Sequence, residues 1–452
     1  MSQYVITGGK KLEGEVSLRG AKNAAFKQII ASMLTDKPCY LQNLPLISDV
    51  KITQGIANAL GAKITVTGPH SLKIQTKKIN CQTVPFGTGQ KSRASFMFAA
   101  PLLAHCGHAS IPLPGGDQLG DRPLDRLFDA YQQMNIKTDI NDHSINFSTS
   151  GIKAAEYTFP KHSHTVTEVL IMTAVLAPGI SIFNNSAIEP EIDNLIVMLK
   201  AMGAKIKRNF KNPKQITIRG VKKLKGCHHQ VIADRNEAVT FACAALATKG
   251  WVNILRLDPK LISTFLNTIE NMGAEIIRGQ DEVTVRWIQP LKSCHIETEP
   301  EPGFMTDWQA LFSVLLTQAV GVSSITERVF PYRFHHVAPL RAMGAKIVLY
   351  NPLVDNPDQY YFFNSESDQP DYFHAAKIYG PSQLKPANFD VNDLRSGACL
   401  TLAALTANGI STIRGVESIE RGYENLAQRL CYLGADIKYI KTKTRKSPSL
   451  PK

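Results

Sequence analysis

The sequence predicts an α/β protein of two lobes, each built from three copies of a unit roughly 70 residues long. Three observations carry this expectation. A short helix-ending motif recurs six times along the chain. A second series of segments, apolar on nearly every helical face, interleaves with it. A basic, polar stretch, KKLKGCHHQVIADR (222–235), then divides the copies three and three.

The recurring motif reads ALGAKI (59–64), QMNIKT (133–138), AMGAKI (201–206), NMGAEI (271–276), AMGAKI (342–347) and YLGADI (432–437). Each copy closes an amphipathic helix. Leu195, Met198, Leu199 and Met202 repeat at helical period in the third, and Ile262, Phe265, Leu266, Ile269 and Met272 in the fourth. The Gly that follows, Asn135 in the second copy, is expected in the left-handed region as a C-cap, and a strand should start just after it. The interleaved segments are AKNAAFKQIIASMLTD (21–36), SRASFMFAAPLLAHCG (92–107), TVTEVLIMTAVLAPG (165–179), NEAVTFACAALATKG (236–250), TDWQALFSVLLTQAVG (306–321) and DLRSGACLTLAALTANG (393–409). These read as fully buried helices, each running into a β-like stretch such as CYLQNL, ISIFNN or VNILRL. Buried helices fit poorly with an open solenoid, whose helices keep a solvent face. The longer interval before the sixth unit leaves room for an insertion, and VDNPDQYYFFNSESDQPDYF (354–373) reads as a surface excursion.

Composition bounds the function. With 452 residues, 44% apolar and 20% charged, the chain is a globular protein of more than one domain. The start, MSQYVITGGKKLEGEV, has no apolar leader, and no apolar stretch is long enough to span a bilayer. A cytoplasmic location, without membrane contact, is expected. The eight cysteines form no CxxC pair and read as reduced thiols. Cys227-His228-His229 lacks a second ligand pair at zinc spacing, so a surface turn is expected and no metal. The net charge of +13 comes partly from the terminal KYIKTKTRKSPSLPK. With no nucleic-acid motif present, the rest points to small anions rather than nucleic acid.

The buried helices carry polar first turns: Lys22-Asn23, Ser92-Arg93, Thr165, Arg235-Asn236, Thr306-Asp307 and Asp393-Arg395. Ordinary capping accounts for Thr306, Asp307 and Asp393. It does not account for Lys22, Arg93 and Arg395, because cations oppose the dipole at a helix start unless a bound anion offsets them. Arg122, Arg333 and Arg421 lie in nearby loops, where each alone is an ordinary surface charge. The loop IPLPGGDQLGDRPLDR (111–126) holds Asp117 among glycines, at first sight a turn residue.

The stretches GAKNAA (20–25), SRAS (92–95), LPGGDQLGDRPLD (113–125), EPEI (189–192), FMTDWQ (304–309), ITERVFPYRF (325–334), DLRSGA (393–398) and ERGYE (420–424) occur together and in order. On them the chain resembles the enolpyruvyl transferases, in the branch that acts on UDP-N-acetylglucosamine. The resemblance implies an inside-out α/β barrel of six βαβαββ units. It implies residues 22–230 as one lobe and 1–21 with 231–437 as the other, while 438–452, basic and without apolar periodicity, is expected as a disordered tail. The implied partners are phosphoenolpyruvate and UDP-N-acetylglucosamine, with no cofactor and a monomer favoured. Lys22, Arg122 and Arg421 would hold phosphoenolpyruvate, and Arg93 and Arg395 would add to that positive cluster. Asp307 would be the base at the acceptor hydroxyl, and Asn23 would orient the sugar. Pro123, Leu124 and Asp125 would meet the uridine, while Lys161, His162, Ser163 and His164 would meet the diphosphate. Val329 and Arg333 would lie near the sugar and nucleotide.

The chain departs from the family pattern in three places. Asp117 replaces the usual loop cysteine, as proton donor to C3 of phosphoenolpyruvate, and resistance to the thiol-alkylating epoxide fosfomycin is then expected. Arg126 and Leu127 replace an apolar residue and a His, and KHSH (161–164) is unusually basic. An enolpyruvyl transferase for another acceptor (a nucleotide or shikimate-3-phosphate) and a non-catalytic nucleotide-sugar binder stay open as alternatives.

Overall fold

The computed structural model describes residues 1–113 and 124–441. Its third unit displays the local logic. Strand Glu156–Thr158, helix His164–Ala174, strand Ile180–Asn184, helix Pro190–Ala201 and strands Lys205–Arg208 and Ile216–Arg219 follow in order. The four strands form one sheet in which 156–158 and 180–184 pair parallel across the first helix, while the remaining pairs are antiparallel. This is a βαβαββ unit. Every helix-ending residue expected to be left-handed is so, from φ 63° at Asn135 to φ 114° at Gly61, with Gly203, Gly273, Gly344 and Gly434 between. Reversal at that point lets the next strand return along the sheet.

The six buried helices are α1 (Lys22–Ala31), α2 (Ala99–Cys106), α3 (His164–Ala174), α4 (Arg235–Ala247), α5 (Gln309–Gln318) and α6 (Leu394–Thr406). All thirteen residues of α4 are buried. Two separate apolar cores result, one spanning Ala21 to Val231 and one joining Tyr4–Leu18 to Ala238–Ala435.

The chain is interlaced between these cores. Strand Gln3–Gly8 lies between Gly409–Arg414 and Asp436–Ile440 of the last unit, and Glu13–Ser17 pairs parallel with Trp251–Leu255. In the other direction, His228–Gln230 pairs parallel with Cys39–Gln42 and completes the first unit. The two crossings run side by side: Ala21 N–H donates to Ile232 O at 2.7 Å and Asp234 N–H to Arg19 O at 2.8 Å.

Three expectations need correction. Cys227-His228-His229 is no surface turn, because it enters a sheet strand with Cys227 and His229 buried. Residues 438–440, expected in the tail, belong to the last strand, which runs to Ile440, and residues 442–452 lie outside the described residues. The stretch 354–373 is not simply a surface excursion. Tyr361 and Phe363 are 7% and 8% exposed, stack on each other and make tilted ring contacts with His374. A polar sequence hides this burial because the groups that hold the stretch are distant in sequence, among them Lys161 of the other lobe, which binds the Tyr361 and Phe363 carbonyls.

Candidate active site

The starts of five buried helices, or their lead-in turns, open on one cavity of about 390 Å³ between the lobes. They contribute Lys22 and Asn23 of α1, Ser92 and Arg93 before α2, His164 of α3, Thr306 and Asp307 before α5, and Asp393 and Arg395 at α6. Helix starts gathered on one cavity favour anions through their dipoles.

Asp307 is the focus. Its carboxylate accepts from Arg333 Nη2 at 2.6 Å on one oxygen and from Arg395 Nη2 at 2.8 Å on the other. Burial raises its pKa, but the two guanidinium groups outweigh burial and hold it well below the usual carboxylate range. Arg395 Nη1 also donates to Tyr423 Oη at 3.0 Å, and Tyr423 Oη shares a 2.7 Å hydrogen bond with Thr240 Oγ1. Capping explains Asp393, which accepts from the N–H groups of Arg395 and Ser396. It does not explain Asp307, and Thr306 instead donates to Glu327 Oε2 at 2.8 Å. Glu327, fully buried, also accepts from Val329 and Phe330 N–H and so fixes the loop carrying Val329, Phe330 and Arg333.

A second cluster joins the lobes. Asp49 accepts from Lys22 Nζ at 2.7 Å and from Arg421 Nε at 3.1 Å. Asp234 accepts from the Lys22 N–H at 3.0 Å across the crossing strands and caps α4 through Asn236 and Glu237 N–H. Burial and neighbouring Glu237 push its carboxyl up to about 6. On the first lobe, Lys27 pairs with buried Glu168, and His164 Nε2 lies 3.4 Å from the same carboxylate. Burial and Lys27 depress the His164 pKa, yet Glu168 and Glu189 more than offset them and it is raised.

The structure therefore brings Lys22, Asn23, Arg93, Leu124, His162, Ser163, His164, Asp307, Val329, Arg333, Arg395 and Arg421 to one cavity. Asp125 and Lys161 stand outside its lining. Asp125 opens helix Asp125–Gln133, with Oδ1 buried and unpartnered. Lys161 Nζ donates to the Tyr361 and Phe363 carbonyls at 3.2 and 2.6 Å. Asp117, Arg122 and Pro123 lie outside the described residues. Sequence reasoning missed Asp49, Asp234 and the segment Phe362–Asn364, which also lines the cavity. Only the acid in the first turn of helix Ser48–Ala59 gave a local signal, and it reads as ordinary helix-start charge.

A family model described as EPSP synthase (3-phosphoshikimate 1-carboxyvinyltransferase) matches residues 6–430. The chain belongs to the enolpyruvyl transferase family. Among curated relatives, UDP-N-acetylglucosamine 1-carboxyvinyltransferase from Brucella ovis is 37% identical, covering 97% of this chain and 100% of its own. The protein of that name from Caulobacter sp. (strain K31) is 35% identical over 98% of both chains. Two solved structures share the fold. An enolpyruvyl transferase from Streptomyces tendae superposes with TM-score 0.84 at 21% identity, over 98% of this chain and all of its own. EPSP synthase from Acinetobacter baumannii gives 0.73 at 17%, with the same coverage. The inside-out α/β fold of the enolpyruvyl transferases is thus the fold of this chain. No described helix is long and apolar enough to cross a membrane, and no group of three or more potential metal ligands occurs among the described residues.

Proposed function

We propose that this enolpyruvyl transferase moves the enolpyruvyl group of phosphoenolpyruvate to the 3-hydroxyl of UDP-N-acetylglucosamine, releasing phosphate, and so serves peptidoglycan synthesis. The relatives named above support the acceptor. The observation that carries the chemistry is Asp307, a carboxylate held ionised between two arginines inside a cavity lined by helix starts.

Addition comes first. The acceptor oxygen attacks C2 of phosphoenolpyruvate, Asp307 takes the hydroxyl proton, and C3 gains a proton, giving a tetrahedral ketal. Elimination then removes a proton from C3 and expels phosphate from C2. Lys22, Arg122 and Arg421, with Arg93 and Arg395, hold the phosphate and carboxylate and stabilise charge on the departing group. Arg395 is engaged by Asp307. When it turns to phosphoenolpyruvate, Asp307 loses one of two cations and becomes a better base. Binding of the first substrate thereby readies the base for the second. Asn23 orients the sugar, and Asp117 gives C3 its proton. Replacing the family's thiol with a carboxyl removes the nucleophile that the epoxide fosfomycin alkylates, so the enzyme resists it.

Phosphate release in the presence of phosphoenolpyruvate and UDP-N-acetylglucosamine tests this reading. Release with that pair, and not with shikimate-3-phosphate, is the expected result. No release across about pH 5 to 9 overturns it, and release with shikimate-3-phosphate alone reassigns the acceptor.

A further inference from the structure

We propose that the segment Tyr360–Asn364 of the second lobe forms the wall against which the nucleotide end of the acceptor lies, and that Arg126 of the first lobe is a positioning residue that holds it there. The inference rests on the acceptor reading above.

The segment belongs to the inserted stretch, yet it is fastened to both lobes. From its own lobe, Arg328 donates through Nε to Tyr360 O at 3.0 Å, accepts the Phe362 N–H at 2.8 Å, and lays its guanidinium 4.2 Å from the Tyr360 ring centre and 5.2 Å from that of Phe362. From the other lobe, Arg126 donates to His162 O at 2.9 Å and to Asn364 Oδ1 at 2.7 Å, and Lys161 donates to two carbonyls of the segment.

These bonds end on neutral acceptors. Burial lowers the pKa of Arg126 and Lys161 by more than Asp125 and Asp358 respectively raise it, and among the described residues neither side chain bonds to a carboxylate. Two cations committed to amide oxygens fix geometry more than they neutralise charge. What they fix faces the cavity: Phe362, Phe363 and Asn364 line it, and the Phe362 ring lies 6.3 Å from that of His162 across the lobes. The groups that grip the segment are separate from those that grip Asp307. An acceptor whose reacting hydroxyl sits at Asp307 therefore has its nucleotide half left to meet the aromatic wall. Aromatic rings offer such a group flat contact area at low entropic cost.

A double-mutant cycle with Arg126→Met and Asn364→Ala tests the assignment. Each single variant should raise KM for UDP-N-acetylglucosamine about tenfold, the worth of one charge-assisted hydrogen bond. The double variant should raise it no further, while kcat and KM for phosphoenolpyruvate stay within about twofold. Phe362→Ala should weaken UMP binding, measured by calorimetry, by a similar factor. If Asn364→Ala leaves the acceptor KM unchanged while Arg126→Met raises it, Arg126 touches substrate directly and the proposal falls. Equal rises in KM for both substrates would also overturn it. The UMP measurement keeps the test separate from the reaction. Should the wild-type protein release no phosphate, loss of UMP affinity in Phe362→Ala and Asn364→Ala would still support the wall, and unchanged affinity would sink it.

Discussion

Asp307 is held by Arg333 on one oxygen and Arg395 on the other, and the consequences of that arrangement can be tested at single residues. Asp307→Asn keeps the shape but removes the proposed proton acceptor, so kcat should fall about a thousandfold, as read by steady-state phosphate release. Since the arginines keep Asp307 ionised, its own titration should not appear in the acid limb of kcat/KM. Asp117→Cys should retain activity and become sensitive to fosfomycin, whereas Asp117→Asn should be strongly impaired. Full activity of the Asn variant would return Asp117 to the role of a turn residue. Asp234 tests electrostatics from the folding side. Its carboxyl titrates near 6 when folded against 3.8 as its ordinary value, so the folded state binds the proton more tightly. Its stabilising contribution is complete below the ordinary value and is lost as pH rises through 6. The Tm of the wild type relative to Asp234→Asn should therefore decline between about pH 4 and 6.

Elements are set by close backbone approach as much as by apolar period. Gly250 stands where the second strand, Glu13–Ser17, joins Trp251–Leu255, and Trp251 N–H donates to Leu12 O at 2.9 Å. An added Cβ there would fall 1.9 Å from the Leu12 carbonyl oxygen. Gly250→Ala should push the N-terminal strand away and cost about 3 kcal/mol, seen as a lower midpoint in denaturant. The same economy of space helps the buried helices: the alanines of α4 and Ser396, Gly397 and the alanines of α6 let these two helices pack closely with α5 at the centre of the second lobe.

The whole molecule is two cores joined by a pair of crossing strands and a few ionic contacts. Arg235, at the start of α4 and fully buried, donates to both oxygens of Glu191 at 3.0 Å across the lobes and also pairs with Glu301. Burial raises the Glu191 pKa, but Arg235 outweighs it and the net shift is downward. Arg235→Met would strand the Glu191 carboxylate in a dry site and should cost about 4 kcal/mol near neutral pH. The deficit should shrink as pH falls through the carboxylate range, because a group with a depressed folded pKa contributes stability only where it is ionised. Unfolding curves at pH 7 and near pH 4 would show it.

The sequence by itself determined the period, the alternation of buried and amphipathic helices, the left-handed reversals and the cationic helix starts. Each of these is local, a matter of neighbours within one or two helical turns. Tertiary structure alone decided which charges meet. Asp49 and Arg421 are separated by 372 residues and Lys22 and Asp234 by 212, and no spacing rule links them. It also decided that a polar, Tyr-rich stretch is buried against Lys161 and Arg126, and that a Cys-His-His run becomes a strand of the first unit's sheet. The contacts between lobes depend on two apolar cores coming close enough to share side chains. That proximity follows from the interlaced chain path and is not written in any one segment.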